Sequence, residues 1–179
     1  MVIMIKFKCS PKFVRAAVYG ANDGIVTTFA VVAGVAGASL SPSIVIVLGV
    51  ANLIADGLSM GMSDFLGELS EQRMRKNMDE SFTGTKIWLT GLVTFTFFVI
   101  AGIFPLLPYF AGTVGITIPQ DMLFTISILA TVFALFTAGS ARTIIIGGSY
   151  LRSGLEMLGI GTVAAVAAYG LGAFIESLL

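Results

Sequence analysis

Long apolar stretches, separated by short polar or proline-containing segments, follow one another along the whole chain. Each stretch is long enough to cross about 30 Å of hydrocarbon as a helix rising about 1.5 Å per residue. We place them at residues 14–40, 43–70, 87–109, 120–143 and 153–178. Pro42, Pro108 and Pro119 lie at segment ends, as helix-limiting prolines do. Pro105 is expected to kink or shorten the third segment.

This pattern predicts an all-α membrane protein with five transmembrane helices. The loop at residues 71–86 is too short to fold by itself, so residues 1–179 are predicted to form a single transmembrane domain. Small residues recur at four-residue spacing and allow helices to approach closely in a membrane. Such pairs occur at Gly20/Gly24, Gly34/Ala38 and Gly57/Gly61.

The basic residues predict the orientation of the chain. In the five-helix arrangement all ten fall on one side of the membrane: Lys6, Lys8, Lys12, Arg15, Arg73, Arg75, Lys76, Lys86, Arg142 and Arg152. Cytosolic loops carry the excess of lysine and arginine in membrane proteins. The N-terminus is therefore predicted to be cytosolic and the C-terminus to lie outside or in a lumen.

Composition agrees with this assignment and restricts the chemistry. Hydrophobic residues make up 56% of the chain and charged residues 11%, which excludes an ordinary soluble domain. The net charge is zero, so no basic nucleic-acid surface is expected. Histidine is absent and Cys9 is the single cysteine. Metal or proton chemistry must therefore use carboxylates, amides, hydroxyls and thioethers.

A polar row on the second segment is the strongest functional signal. In a helix, residues four apart lie on nearly the same face. Such a row is formed by Asn52, Asp56, Met60, Asp64 and Glu68. A carboxylate at bilayer depth costs at least about 2.5–3.5 kcal/mol unless a partner, water or a cation receives it. Several acidic groups in one small membrane protein therefore predict a function.

The first segment supplies a matching pair, Asn22 and Asp23. If the first two helices are antiparallel neighbours, Asp23 and Met60 lie at similar depth. A cation between them would meet both side chains, together with Asp64 or Asp56. Oxygen ligands suit hard ions such as Mn²⁺, and a thioether shifts the preference toward softer ions such as Fe²⁺. The predicted metal-site residues are Asp23, Met60, Asp56, Asp64, Asn22, Asn52 and Glu68.

Simpler interpretations of the same residues remain open. Asn22 and Asp23 would be an interfacial N-cap if the first helix began near Ile25, and Asp56 would be structural if it bonded a neighbouring helix. Met60 would be a packing residue, as methionine in an apolar helix usually is.

Charged residues near the cytosolic side also have ordinary interpretations. Asp64 and Glu68 would be solvated at a helix end, and Glu71 with Arg75 forms an ordinary surface pair at i, i+4. Glu156 either pairs with Arg152 or helps to admit a cation.

Two features of the sequence predict what would drive transport: a phosphate-binding loop is absent, and carboxylates lie inside the apolar segments. No Gly-x-x-x-x-Gly-Lys-Ser/Thr phosphate loop is present, which argues against direct coupling to ATP. Carboxylates inside a membrane can be neutralised either by a cation or by a proton. Exchange of metal for protons is therefore the simplest mechanism.

Three motifs together resemble the vacuolar iron transporter family. They are Ala-Val-Tyr-Gly-Ala-Asn-Asp-Gly-Ile-Val-Thr-Thr at residues 17–28, Ala-Asp-Gly-Leu-Ser-Met-Gly-Met-Ser-Asp-Phe at 55–65 and Arg-Ser-Gly-Leu-Glu-Met-Leu-Gly-Ile-Gly at 152–161. The resemblance implies five transmembrane helices, a homodimer, and export of Fe²⁺, sometimes Mn²⁺, from the cytosol in exchange for protons. It gives Asp23 and Met60 the positions of the intramembrane metal residues. Asp64 stands where many members have glutamate.

The chain departs from plant-type members of that family in one respect. They extend the second and third spans into a long cytosolic region rich in glutamate and methionine that collects metal. The segment 71–86 is too short for this, and Arg73, Arg75 and Lys76 oppose cation loading. Its Glu71, Met74 and Met78 are a possible remnant.

The sequence thus predicts a non-enzymatic exporter of Fe²⁺ and/or Mn²⁺ that works by proton antiport. We expect no cofactor, a homodimer in a lipid bilayer, and a prokaryotic cell membrane, with a vacuolar membrane as the alternative. The competing prediction is a membrane scaffold that transports nothing and uses its buried carboxylates to bridge helices. The two differ in metal dependence, because only a metal-binding protein gains stability from Fe²⁺ or Mn²⁺.

Overall fold

The computed structural model describes residues 11–77 and 86–179, and it is built from helices. We number them α1 (Pro11–Gly37), α2 (Pro42–Asn77), α3 (Ile87–Gly102), α4 (Leu107–Phe110), α5 (Gln120–Ile146) and α6 (Tyr150–Glu176). Two 3₁₀ turns flank α4, at Phe104–Leu106 and Ala111–Val114. Within the described ranges there is no strand.

Five stretches are long and apolar enough to cross a membrane: α1, α2, α5, α6, and α3 taken together with α4. The predicted all-α fold with five transmembrane helices is therefore confirmed. Each stretch overlaps one predicted segment, because runs of apolar residues of this length have few other uses.

The helix ends differ from the predicted spans. Helix α2 continues to Asn77, past the predicted end at residue 70, and α5 reaches Ile146. The continuation of α2 consists largely of Glu, Gln, Arg, Met and Lys, which are good helix formers. Arg75 and Lys76 in its last turn also complement the helix dipole. Hydropathy marks where the bilayer ends and not where the helix ends. Residues 78–85 of the predicted loop, including Met78, lie outside the described residues.

The expected effect of Pro105 is found. Helix α3 ends at Gly102 and gives way to the 3₁₀ turn Phe104–Leu106. Proline lacks an amide hydrogen and cannot continue the hydrogen-bond ladder of a helix. The carbonyl oxygen of Pro105 accepts a hydrogen bond from Ser127 Oγ on α5 at 2.6 Å. The break is thus stabilised by the neighbouring helix.

Helix α1 lies at the centre of the bundle and contacts α2, α3, α5 and α6. Its buried side chains include Ile25, Phe29 and Val32. The helix is continuous from Pro11 to Gly37, so Asn22 and Asp23 lie in its interior. The alternative in which they cap a helix starting near Ile25 is wrong. A carboxylate therefore sits in the middle of the most enclosed helix.

Glycines set how closely these helices approach. A Cβ atom added at Gly24 would lie 2.2 Å from the carbonyl oxygen of Phe98 on α3, and one at Gly20 would lie 2.3 Å from that of Thr94. A Cβ atom at Gly91 would lie 2.3 Å from the carbonyl oxygen of Gly61 on α2. These contacts hold α3 against both α1 and α2, as small residues do in membrane bundles.

We expect Gly24→Ala to lower the melting temperature of the detergent-solubilised protein. The new methyl group would overlap backbone, which cannot rotate away as a side chain can, and overpacking of this kind costs about 1–3 kcal/mol. Gly67→Ala is the matched control, because a Cβ atom there meets nothing within 4 Å. Alanine favours helix over glycine, so the control should be neutral or slightly stabilising. Equal melting temperatures for the two variants would contradict this packing.

Candidate metal site

A polar cavity of about 370 Å³ opens between α1, α2 and α3. Since a water molecule takes about 30 Å³ of liquid volume, the cavity has room for an ion with water around it. Three of the predicted metal-site residues lie on its α2 wall. The cavity is lined by Arg15, Ala16, Tyr19, Met60, Ser63, Asp64, Gly67, Glu68, Glu71 and Thr94.

Asp64 is fixed in this cavity by α3. Thr94 Oγ1 donates a hydrogen bond to Asp64 Oδ2 at 2.6 Å, and Thr94 itself is buried. Thr94 is held in place because Gly20 lets α1 pack against its backbone. Asp64 is half-buried and tied to a neighbouring helix, so it is not a solvated residue at a helix end. Met60, one turn deeper on α2, is partly buried beside the apolar cluster that contains Phe98.

Ion pairs lie at the mouth of the cavity, and those of Lys12 join α1 to α2. Lys12 Nζ lies 2.5 Å from Glu68 Oε2 and 3.7 Å from Glu71 Oε2. An Arg75 amino group lies 2.9 Å from Glu71 Oε1, so the predicted surface pair between those two residues is confirmed. Glu68 is only 12% exposed, which distinguishes it from an ordinary surface glutamate.

A second polar contact joins α1 and α2 deeper in the bundle. Asn52 Nδ2 donates a hydrogen bond to Thr27 Oγ1 at 3.3 Å. Thr27 Oγ1 in turn donates to the main-chain oxygen of Asp23 at 2.8 Å. Asp23 is half-buried, and Asp56 is exposed in the single chain. The structure thus brings Asn52 close to the Asp23 segment.

The predicted residues of α2 are spread along that helix and do not meet at one point with those of α1. Within residues 11–77 and 86–179, no compact group of three or more carboxylate, histidine or cysteine side chains is found. From Asp56 to Glu68 the row rises about 18 Å along α2, at about 1.5 Å per residue. Its geometry is that of a polar path with partners at successive depths.

Asn22 faces a different part of the bundle. It lines a cavity of about 630 Å³ between α1, α5 and α6 with Tyr19, Arg142, Glu156 and other residues. Its Oδ1 atom is buried and has no hydrogen-bond partner among the described residues. The structure does not bring Asn22 into the cavity that contains Met60, and its role as a metal ligand stays a prediction.

Glu156 has the ordinary partner that its sequence spacing suggested, and one more. Arg152 Nε donates to Glu156 Oε1 at 3.2 Å, and Arg142 on α5 bonds the other carboxylate oxygen. Both partners are cationic, so the pairing interpretation accounts for Glu156. The contact between Arg142 and Glu156 also links the end of α5 to the start of α6.

Sequence reasoning missed Tyr19, Thr94 and the role of Lys12. Tyr19 lines both the cavity between α1, α2 and α3 and the cavity between α1, α5 and α6. Thr94 could have been found because Thr90 and Thr94 lie one turn apart, on the same face of a largely apolar segment. The pairing of Lys12 with Glu68 spans 56 residues, and nothing in the local pattern indicates it.

Comparison with known proteins agrees with the fold and the motifs. The family model of the VIT family matches residues 14–81 and 73–173. A vacuolar iron transporter of Centaurea cyanus is 26% identical over 215 aligned residues, which cover 88% of this chain and 86% of that protein. Vacuolar iron transporter 1 of Arabidopsis thaliana is 26% identical over 223 residues, covering 92% and 87%.

Another relative matches a shorter stretch at higher sequence identity. A vacuolar iron transporter of Toxoplasma gondii (strain ATCC 50861 / VEG) is 48% identical over 63 residues, 35% of this chain and 21% of that protein. The family match runs through all of the predicted metal-site residues, from Asn22 to Glu68. With five apolar helices and a polar row between two of them, the chain belongs to the VIT family, a membership that suggests metal transport.

Proposed function

We propose that this chain transports divalent transition metal, Fe²⁺ and/or Mn²⁺, out of the cytosol in exchange for protons. One observation carries the proposal: a polar row with a thioether and several carboxylates lies between two apolar helices. Met60, Asp64 and Glu68 line one cavity, and Asn52 is bonded to Thr27 of α1 further along. Carboxylates in such a place are costly unless something neutralises them.

Each residue has a distinct proposed role along this row. Glu68 receives the ion at the mouth, and Asp64 holds it next. Met60 and Asp23 form the central site, with Asp56 beside them. The amide oxygen of Asn52 supplies a neutral ligand. Carboxylate oxygens with one thioether suit Mn²⁺ and Fe²⁺ better than Ca²⁺ or Mg²⁺, which gain little from sulfur.

Proton exchange follows from the same carboxylates. When a metal ion leaves, the acidic groups at bilayer depth are left without a counter-charge. Binding of protons neutralises them, and binding of the next ion releases those protons. Metal moving one way is thereby coupled to protons moving the other way, without a nucleotide or a bound cofactor.

The proposed direction of transport depends on the orientation of the bundle. The start of α1, the end of α2 and the connection from α5 to α6 carry Lys12, Arg15, Arg75, Arg142 and Arg152. By the positive-inside rule this end faces the cytosol. The mouth at Glu68 then opens to the cytosol. We place the protein in a prokaryotic cell membrane because its loops are short; a vacuolar membrane would have the same sidedness.

We further propose a homodimer, because α2 exposes polar residues at bilayer depth. Asp56, Ser59 and Ser63 are all exposed in the single chain. Lipid is a poor neighbour for a carboxylate, and a second copy packed on this face would cover it. In a two-fold symmetric dimer the same patch meets itself.

The dimer predicts a specific cross-link. In a background with Cys9→Ser, Ser59→Cys should form a disulfide-linked dimer under mild oxidation. Val163→Cys is the control, since Val163 is 73% exposed on α6, away from the polar face. Equal cross-linking at the two positions, or a monomer by mass in detergent, would contradict the dimer.

The scaffold alternative has its own supporting observation. Asn52 with Thr27, and Thr94 with Asp64, are hydrogen bonds that bridge helices, as a structural role requires. Melting of the wild-type protein with and without Mn²⁺ separates the two functions. A ligand at 100 times its dissociation constant stabilises the folded state by about 2.7 kcal/mol. Transport predicts stabilisation that Asp23→Asn removes; an unchanged melting temperature in the wild type would favour the scaffold.

A further inference from the structure

We propose that the ammonium group of Lys12 is a tethered competitor for the incoming metal ion. It lies at the mouth of the polar cavity between α1, α2 and α3, and it thereby sets the metal concentration at which the transporter loads. The inference rests on the proposed function. It makes Lys12 a residue that determines loading and selectivity and that does not bind the metal itself.

The geometry places the ammonium where a cation would first be held. Lys12 Nζ lies 2.5 Å from Glu68 Oε2 and 3.7 Å from Glu71 Oε2. Both glutamates line the same cavity as Asp64 and Met60. Two carboxylates that face one positive group are the ligands that a divalent ion would use at an entrance. The lysine therefore sits in the path of the ion.

Burial makes this ion pair stronger than a surface contact. The side chains of Lys12 and Glu68 are 27% and 12% exposed. Partly buried pairs are screened by salt much less than exposed ones, whereas exposed pairs contribute little. The neighbouring pair of Arg75 and Glu71 is more open, at 47% and 36% exposed.

Two other cations of the described residues, Arg15 and Arg75, lie near the mouth and have partners other than Glu68. The Arg15 guanidinium lies 5.7 Å from the centre of the Tyr19 ring. Arg75 contacts Glu71, one turn closer to the helix end than Glu68. Lys12 reaches the deeper of the two glutamates and connects α1 to α2 across the opening.

Exchange at this position is chemically simple. The ammonium is a compact charge on a flexible four-carbon stem, so it can swing out when a stronger cation arrives. A tethered group competes at an effective concentration in the millimolar range for short flexible links. A divalent ion gains more from two carboxylates than a monovalent ion does. Lys12 therefore raises the loading threshold for all cations and favours divalent ones.

The test is the concentration dependence of Mn²⁺ uptake into proteoliposomes. We expect Lys12→Gln to lower KM by about threefold to tenfold, the effect of removing one partly buried ion-pair competitor, with kcat unchanged. Lys12→Arg keeps the charge and should retain the wild-type KM within about twofold. Lys76→Gln is the charge-matched control, because it removes a positive charge from an exposed position near the end of α2. It should lower KM clearly less than Lys12→Gln does.

The outcomes separate this inference from the proposed function. A KM for Lys12→Gln equal to that of Lys76→Gln, in a wild type that transports, would overturn the inference and leave transport standing. If the wild type transports nothing, binding of Mn²⁺ to the detergent-solubilised protein, measured from the EPR signal of free Mn²⁺, decides. Tighter binding by Lys12→Gln than by Lys76→Gln supports the competitor role; equal binding refutes it. Melting curves of the variants exclude loss of fold as the cause.

Discussion

Replacing Asp23 with asparagine is expected to abolish metal uptake while leaving the fold intact. Asparagine has nearly the same shape, so packing of α1 against its neighbours is kept. The variant removes one negative charge from the centre of the proposed path. A unit charge pair at 4 Å is worth about 4 kcal/mol at an effective dielectric constant of 20. Partial compensation by Asp56 still leaves an expected loss of at least about 100-fold in uptake.

The measurement is the initial rate of Fe²⁺ and Mn²⁺ uptake into proteoliposomes. Asp121→Asn is the matched control, because Asp121 is exposed in the first turn of α5 and lies outside the polar cavity between α1, α2 and α3. The control should transport like the wild type. Wild-type rates in the folded Asp23→Asn protein would remove Asp23 from the path and with it the central site.

Replacing Met60 with leucine is expected to change which metal is preferred. The two side chains have similar volume, and swaps that conserve volume usually cost less than about 1.5 kcal/mol in stability. The variant removes the one soft ligand that we assign to the path. Fe²⁺ loses more than Mn²⁺ when a thioether is lost, because Mn²⁺ prefers oxygen. We expect the ratio of kcat/KM for Fe²⁺ over Mn²⁺ to fall by about tenfold, which corresponds to about 1.4 kcal/mol.

Met62→Leu provides the matched control for this experiment. Met62 is two residues away but 64% exposed, and it lines a groove between α2 and α3 instead of the polar cavity. Its replacement should leave the metal ratio unchanged. A ratio that stays constant in Met60→Leu, or that shifts equally in both variants, would show that Met60 is a packing residue.

The parts of this fold that were predictable are those determined by local composition. Apolar length gave the five spans, and Pro105 correctly marked the break after α3. The continuation of α2 beyond residue 70 was not predicted, because polar residues end the apolar run there. Those residues are good helix formers, so the helix itself continues to Asn77.

The candidate site was predictable along one helix and not between helices. Four-residue spacing placed Met60, Asp64 and Glu68 on one face, and one cavity contains all of them. Asn22 and Asp23 are adjacent in sequence, and adjacent helical residues point about 100° apart. Asn22 consequently lines the cavity between α1, α5 and α6. Which neighbour each face of a central helix meets depends on packing that no local pattern encodes.

The partners of the acidic row were hidden for the same reason. Asp64 is bonded by Thr94 from α3, and Glu68 by Lys12 from the start of α1. Both partners come from distant parts of the chain, and Thr94 is brought close by helix packing at Gly20 and Gly91. In this sequence the acidic residues stand out from the apolar segments that contain them. The side chains that neutralise them lie on other helices and are identified only from the packing.

Metal-driven proton movement tests the central claim most directly. Wild-type protein would be reconstituted in liposomes that contain a pH-sensitive dye, and Mn²⁺ would be added outside under anaerobic conditions, with Fe²⁺ in parallel. The account predicts that metal entry drives protons out, so the interior becomes alkaline only when protein and metal are both present. Metal entry without any change in internal pH would contradict proton exchange, and the absence of both would contradict transport itself.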